Sequence, residues 1–115
     1  MSRLSEELRQ RTKHFASAVI QLYVKLPRQR AEVDVLGRQL LRSGTSVAAR
    51  ARSDSEFCSK LDGLLQEADE SQLWMELLRD DCGIPGEVIN PKWNEADELM
   101  AIFTTMVSKL RKSDI

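Results

Sequence analysis

Aromatic residues are scarce in this chain of 115 residues, which contains two Trp, one Tyr and three Phe. So few aromatic side chains argue against a carbohydrate-binding platform and against a surface on which nucleic-acid bases stack. Long apolar runs are also lacking, and no stretch approaches the roughly 20 residues that a transmembrane helix needs. The sequence therefore predicts a protein that has no membrane-spanning segment and no membrane partner.

Histidine and cysteine are nearly absent, which removes most routes to metal binding and catalysis. Arginine rather than glutamate lies three positions before His14, so the Glu-x-x-His pair of di-iron bundles is missing. Cys58 and Cys82 lack both the CxxC spacing and the additional ligands of a zinc site. Spacing alone allows a cysteine–histidine nucleophile pair, but Cys58 beside Phe57 is better explained by packing. We expect no metal, no cofactor and no catalytic residue, and we interpret the chain as a non-enzyme.

The two cysteines also indicate the redox environment. They lie 24 residues apart, and on one helix this separation would be about 36 Å, well beyond disulfide reach. Both are therefore predicted to be free thiols, as in a reducing compartment. The first ten residues are charged and contain no apolar signal-peptide core. We therefore expect a cytoplasmic protein.

Charge is unevenly distributed along the chain, although the formal net charge is only −1. Residues 1–52 contain eleven Lys/Arg and four Asp/Glu, a balance of +7. Residues 53–115 contain six Lys/Arg and fourteen Asp/Glu, a balance of −8. In a small helical bundle this split predicts one basic flank and one acidic flank. The basic flank then meets either a polyanion or the acidic flank of an identical neighbour.

Helical periodicity predicts four helices joined by short connectors, and therefore an all-α, up-down-up-down antiparallel four-helix bundle. The whole chain, residues 1–115, is expected to form one domain. The first helix spans about residues 5–26 and ends at Pro27, because proline disfavours helical geometry in the residue before it. The second helix spans about residues 32–50.

The third and fourth helices have recognisable start signals. A capping box, in which Ser53 caps the amide of Glu56, predicts the start of the third helix. Gly83 is predicted to be the C-terminal cap of the third helix. The fourth helix is predicted to begin at Asn90-Pro91, a cap residue followed by proline at the first helical position.

Small residues inside the second helix predict a close helix crossing. Gly37 and Gly44 each cost about 1 kcal/mol relative to alanine, so a neighbouring helix is expected to approach the backbone over them. The segment Ser43-Gly44-Thr45-Ser46 also has the composition of a phosphate-binding turn. Its amides are already hydrogen-bonded in mid-helix, however, so we expect its hydroxyls to bond the preceding turn.

Four segments of the chain carry a family resemblance. They are RTKHF at residues 11–15, the Leu26-Pro27 helix stop, LGRQLLRSGTSV at residues 36–47 and EADESQLWMELL at residues 67–78. Together they resemble the four-helix-bundle family of ribosomal-RNA intervening-sequence proteins, which also includes the accessory variability proteins of diversity-generating retroelements. The resemblance covers nearly the whole chain, and the RSGTSV segment is specific to the family.

The resemblance implies a four-helix protomer that assembles into a ring, typically a pentamer. For the retroelement branch it also implies a partnership with a reverse transcriptase and with nucleic acid, while for most members it implies no known activity. The chain departs from the family pattern after Ala49, where an Asn-x-x-Glu-Ala type stretch of roughly six residues, more than one helical turn, is missing. This departure shortens the second helix and removes a polar cluster of the family.

Arginines of the second helix are the best candidates for a binding surface. Arg38, Arg42 and Arg52 share a stripe about 21 Å long, which can follow a nucleic-acid backbone. The candidate nucleic-acid-binding residues are Arg9, Lys13, Arg38, Arg42, Arg50 and Arg52. The alternatives are a solvated polar face and a contact between protomers.

The third helix offers an acidic complement. Asp62, Asp69 and Glu76 recur at intervals of seven residues. Leu73 and Trp74 are additional apolar residues, beyond the number that the core of a helical bundle requires. The candidate residues of an oligomer interface are Asp62, Asp69, Leu73, Trp74 and Glu76. For Trp74, a position at the flank of the core is an equal alternative.

These features favour a non-enzymatic, homo-oligomeric four-helix bundle that forms a ring, and the resemblance implies that the ring is a pentamer. We expect it to bind RNA or DNA as an accessory factor to a polymerase-type partner such as a reverse transcriptase. The alternative is an assembly or adaptor module that binds another protein and has no nucleic-acid role. Exposed ion pairs contribute only ~0–1 kcal/mol each, so self-association must also bury apolar surface.

Overall fold

Four antiparallel helices make up most of the part of the chain that the computed structural model describes, residues 4–113. They are α1 (Glu6–Lys25), α2 (Ala31–Ala51), α3 (Phe57–Asp80) and α4 (Gly86–Ser113). Each helix packs against the next along the chain, and α1 also contacts α4. No strand occurs among the described residues. The predicted all-α four-helix bundle is therefore confirmed.

The core is a continuous apolar cluster between the four helices. Its largest fully buried side chains are Phe15, Phe103, Leu40, Leu61, Leu64, Met75, Leu78, Ile89, Leu99, Val19, Val33 and Val47. Burial of apolar surface contributes about 25 cal/mol per Å², so this cluster is the main favourable contribution to folding. None of the helices within residues 4–113 combines the length and apolarity that crossing a bilayer requires.

Both glycines of α2 lie against α1, as the sequence predicts. A Cβ atom added to Gly44 would lie 2.9 Å from both methyl groups of Val19. A Cβ atom added to Gly37 would lie 2.9 Å from Cδ1 of Leu26. The absence of a side chain at these two positions therefore sets how closely α1 and α2 approach.

Hydroxyl groups near Gly44 bond within the bundle instead of forming a phosphate-binding turn. Thr45 Oγ1 donates to the Leu41 carbonyl over 2.8 Å, and Ser43 Oγ lies 3.3 Å from the Leu40 carbonyl. These contacts confirm the predicted bonding to the preceding turn. Ser43 Oγ also lies 2.8 Å from Ser71 Oγ, which gives a buried hydrogen bond between α2 and α3.

The predicted capping box at the start of α3 is wrong. The Ser53 hydroxyl donates to the Arg50 carbonyl over 3.0 Å and so belongs to the end of α2. Glu56 itself is the N-cap, and its carboxylate accepts hydrogen bonds from the amides of Cys58 at 2.7 Å and Ser59 at 3.2 Å. These bonds to the free amides of the first turn hold the pKa of Glu56 below its ordinary value.

The predicted start of α4 is also wrong, because the helix begins at Gly86, ahead of Asn90-Pro91. The Pro85 carbonyl accepts a hydrogen bond from the Ile89 amide over 3.2 Å, and the Ile89 side chain is completely buried. Pro91 therefore lies inside the helix, where it lacks an amide to donate. Burial of Ile89 in the extra first turn is the physical reason for the earlier start.

The end of α3 confirms the predicted glycine cap. Gly83 has φ of +75°, a left-handed conformation that glycine adopts without strain. The chain reversal is closed by the Ile84 amide, which donates to the Leu78 carbonyl over 3.0 Å. Cys82 before this turn is buried, Cys58 is half-buried, and both are free thiols as predicted.

Candidate nucleic-acid and assembly surfaces

Opposite charges meet where the basic first half of the chain contacts the acidic second half. At the α2–α3 seam, the Glu67 side chain is only 9% exposed, and Arg42 and Arg50 each lie 3.4 Å from its carboxylate. Arg42 also pairs with Glu70. A buried carboxylate requires such partners, because an unpaired charge in that position is costly. Two of the candidate nucleic-acid-binding arginines are therefore engaged in joining α2 to α3.

Arg11 makes the corresponding connection at the α1–α4 seam. Its guanidinium donates to both carboxylate oxygens of Glu95 over 2.9 Å each, and it lies 2.8 Å from Glu98 Oε1. Hydrogen bonding to Glu95, with Glu98 second, raises the pKa of Arg11 above its ordinary value. Sequence reasoning missed this cluster, because residues 84 positions apart share no local pattern.

Arg38 and Arg52 lie on the outer face that α1 and α2 form together, here called the α1–α2 face. Tyr23 of α1 donates its hydroxyl to Asp34 of α2 over 3.0 Å, and the two arginines follow Asp34 at helical spacing. Arg38 also donates to Asp34 over 3.2 Å. Burial opposes ionisation of Asp34, but the bonds from Tyr23 and Arg38 outweigh it and lower its pKa. Arg52 is exposed and pairs with no acid within residues 4–113.

Arg9 and Lys13 lie on the same face, one turn apart on α1, and apolar residues follow them at helical spacing. Arg9 pairs with Glu6 over 3.2 Å, whereas Lys13 is exposed and has no ion pair in the described part of the chain. Ile20 is 45% exposed and Val24 is 62% exposed. The α1–α2 face therefore combines four of the six candidate cations with apolar surface.

Among the five candidate interface residues of α3, Asp69 and Leu73 are both exposed. Asp69 is exposed and forms no ion pair within residues 4–113, and Leu73 is 46% exposed. Asp62 is also exposed and lies 3.5 Å from Arg111 of α4, at the limit of a weak surface pair. These three side chains are free to contact another molecule.

The remaining two candidates, Trp74 and Glu76, are partly engaged within the chain. Trp74 is half-buried, packs against the core and donates its indole N–H to Glu70 over 3.3 Å. Glu76 accepts a hydrogen bond from the indole N–H of Trp93 over 2.9 Å. This placement of Trp74 corresponds to the core-flank alternative, while part of its ring stays accessible.

His14 is exposed on the side of α1 that faces α4, where it borders a cavity with Pro91 and Lys92. Within residues 4–113, no group of three or more His, Cys, Asp or Glu side chains is arranged to hold a metal ion.

The fold and these surfaces define a class, an antiparallel four-helix bundle with ion pairs across two seams and a mixed cationic and apolar outer face. No protein-family model matches the sequence, and no curated protein matches it. Among solved structures, the chain is similar to a crystal structure of a protein with unknown function from the S23 ribosomal protein family of Bacteroides thetaiotaomicron VPI-5482. The two chains are 29% identical with a TM-score of 0.75, and the match covers 87% of this chain and 97% of that chain.

Proposed function

We propose that this protein is a non-enzymatic four-helix bundle that assembles with copies of itself into a ring, with five subunits as the expected size. It binds nucleic acid as an accessory factor to a polymerase-type partner such as a reverse transcriptase. The observation that carries this proposal is the α1–α2 face, on which two adjacent helices hold Arg9, Lys13, Arg38 and Arg52.

The cations of the α1–α2 face are available to phosphate groups. Lys13 and Arg52 have no acidic partner in the described chain, and Arg9 and Arg38 pair only with acids on their own helices. Such surface pairs contribute ~0–1 kcal/mol each, so a phosphate can replace the carboxylate at little cost. Binding through these groups releases counterions from the nucleic acid and therefore weakens as salt rises.

Assembly into a ring is supported by exposed apolar side chains on more than one side of the bundle. Leu73 is exposed on α3 and Val88 on α4. A protomer with self-complementary surfaces on different sides forms heterologous contacts, and these contacts close into a ring when the rotation between neighbours permits it. Burial of these apolar groups supplies the attraction that exposed charges cannot supply.

Fluorescence anisotropy with a labelled single-stranded RNA, and with DNA of the same sequence, tests the nucleic-acid part of the proposal. Contacts to four phosphates predict that log Kd rises with log salt with a slope of about 3. The double variant Arg38→Glu with Arg52→Glu should weaken binding by roughly tenfold or more and reduce this slope by about 1.5. Lys112→Glu, which reverses an exposed cation near the end of α4, is the matched control and should leave Kd unchanged.

Two results would overturn the proposal. If the wild-type protein binds neither RNA nor DNA at low salt, the nucleic-acid role fails. If light scattering shows a monomer of 13.1 kDa at the highest attainable concentration, the ring fails.

A second candidate function is an adaptor that binds another protein and has no nucleic-acid role. The exposure of Ile20 and Val24 beside the cations favours it, because such mixed surfaces also suit protein partners. This alternative predicts that a co-purifying partner stays bound after nuclease treatment and is lost in the double variant Ile20→Asp with Val24→Asp. Loss of the partner on nuclease treatment would contradict it.

A further inference from the structure

A continuous groove follows the seam between α1 and α4, which is the most sparsely packed of the four seams. Cavities of about 260, 310 and 340 Å³ lie along it in succession. Neighbouring cavities share the lining residues Ala18, Leu22, Lys25, Val88 and Lys92. From His14 to Pro27 the groove runs for about 20 Å along α1, the length of a helix of three to four turns.

The groove has an apolar floor and a basic rim. Lys25 and Lys92 form no ion pair within residues 4–113, and Lys92 Nζ instead donates to the Val88 carbonyl of its own helix over 3.1 Å. Glu95 is the one acid among the described lining residues, and its two carboxylate oxygens are held by Arg11. The lysines of the rim are therefore not balanced by negative charge within the protomer.

One surface of the same chain is complementary to this groove. The α3 stripe, defined as Asp62, Asp69, Leu73, Glu76 and Asp80, follows one face of α3 at helical spacing. It places acids on both sides of Leu73, which is 46% exposed. Asp69 forms no ion pair within residues 4–113, whereas Asp80 is paired with Arg79 and Asp62 lies 3.5 Å from Arg111. An apolar side chain flanked by acids matches an apolar floor flanked by lysines. Charge complementarity therefore points to a second copy of this chain as the occupant of the groove.

We infer that the α3 stripe of one protomer occupies the α1–α4 groove of the next, with Leu73 on the apolar floor and the acids facing Lys25 and Lys92. This inference rests on the proposed homo-oligomer and names the two surfaces that join its subunits. It also leaves the α1–α2 face free, so that assembly and nucleic-acid binding use different sides of the bundle.

The position of α4 explains why this contact favours a ring. Because α4 packs against both α3 and α1, the α3 stripe and the α1–α4 groove lie on adjacent sides of the bundle. When each protomer is contacted on two adjacent sides, every added protomer is rotated relative to the one before it, and the chain of protomers closes into a ring. Contacts between opposite sides would instead extend a filament.

Charge reversal on each surface tests the inference, with mass measured by light scattering. The groove variant is Lys25→Glu with Lys92→Glu, and the stripe variant is Asp62→Lys with Asp69→Lys. Each variant alone should dissociate to the 13.1 kDa monomer, with a dissociation constant raised roughly tenfold or more. An equimolar mixture should form oligomers again, because the reversed groove accepts the reversed stripe and the natural groove accepts the natural stripe.

Matched controls separate a specific contact from a general effect of charge. Lys13→Glu reverses an exposed lysine on the α1–α2 face, and Asp54→Lys reverses an exposed acid in the loop before α3. Both should keep the wild-type mass, and all variants should keep the wild-type helical circular dichroism.

Three outcomes would overturn the inference in distinguishable ways. If the wild type is oligomeric and both variants keep its mass, these surfaces are not the contact, while the proposed ring stands. If the variants are monomeric but their mixture also stays monomeric, the two surfaces do not pair directly. If the wild type itself is monomeric, the proposed ring fails together with this inference.

Discussion

Gly44 and Val19 show how a single side-chain volume sets the distance between α1 and α2. Val19 is completely buried, and both of its methyl groups would lie 2.9 Å from a Cβ atom at position 44. Such a contact is too short for carbon atoms, so the valine or the whole helix would have to move. The two glycines of α2 predicted a close crossing, but only the packed structure identifies Val19 and Leu26 as the residues that approach them.

We expect Gly44→Ala to lower the free energy of unfolding by about 1 kcal/mol. Overpacking costs about 1–3 kcal/mol, and this exceeds the roughly 1 kcal/mol that alanine gains over glycine in a helix. Gly63→Ala is the matched control, because its Cβ atom would meet the end of the long Arg50 side chain, which can shift, at 2.8 Å, and the change should stay within about 0.5 kcal/mol. Urea unfolding measures both, and equal losses would contradict this account.

Leu73 and Trp74 show why residue patterns only partly define a surface. Leu73 was predicted at an interface, and Trp74 either there or at the flank of the core. The structure leaves Leu73 accessible and packs Trp74 against the core. Consecutive helical residues point about 100° apart, so adjacent residues can have different environments at the edge of an apolar stripe. The partner of each side chain depends on where α2 and α4 lie, which the local pattern does not contain.

Helix starts are the feature of the elements that sequence signals predicted least well. Ser53 and Asn90 are both good N-cap residues, but neither begins a helix. Glu56 caps α3 instead, and the extra first turn of α4 buries Ile89. Several residues near a helix end can act as a cap, so packing of the neighbouring turn decides between them. The Pro27 stop and the Gly83 cap were predicted correctly, because they depend on local backbone geometry.

The cap of α3 predicts a pH dependence of stability. The pKa of Glu56 is lowered from its ordinary value of 4.5 by the amides of Cys58 and Ser59. Its contribution is therefore fully present above pH 4.5 and is lost as pH falls through the lowered folded-state pKa. We expect Glu56→Ala to lower Tm by a few degrees at neutral pH and by much less at the lowest pH at which the protein stays folded.

Thermal unfolding followed by circular dichroism at several pH values checks this dependence. Asp54→Ala, which removes an exposed acid in the same loop, serves as the control and should show no such trend. If the difference in Tm between Glu56→Ala and wild type increases as the pH is lowered, the predicted direction of the pH dependence is wrong.

At the scale of the whole molecule, the basic first half and the acidic second half of the chain form ion pairs with each other where their helices meet. The basic half supplies α1 and α2, and the acidic half supplies α3 and α4, so that opposite charges face each other at the α2–α3 and α1–α4 seams. The predicted basic and acidic flanks therefore keep only the charges that point away from these seams. This arrangement explains why Arg42 and Arg50 are held within the protomer while Lys13 and Arg52 are not.

Arg11 bridges the sparse α1–α4 seam through its bonds to Glu95 and Glu98. We expect Arg11→Ala to lower the free energy of unfolding by about 1 kcal/mol, because it removes the bidentate hydrogen bond to Glu95 and the ion pair with Glu98. Amide hydrogen exchange in the first half of α1 should also become faster. Lys13 lies two residues away and forms no ion pair in the described chain, so Lys13→Ala should change neither the free energy of unfolding nor the rate of amide exchange. Unchanged exchange in Arg11→Ala would show that apolar contacts alone close the seam.

The sequence by itself determined the helical class, the number of helices and the glycine-lined crossing, because these follow from periodicity and backbone geometry over a few turns. The tertiary structure alone decided which charges face one another, since Arg11 and Glu95 are 84 positions apart and meet only when α4 returns beside α1. It also decided where the open seam lies. For that reason the basic groove and the division between structural and available arginines could be recognised only in the folded molecule.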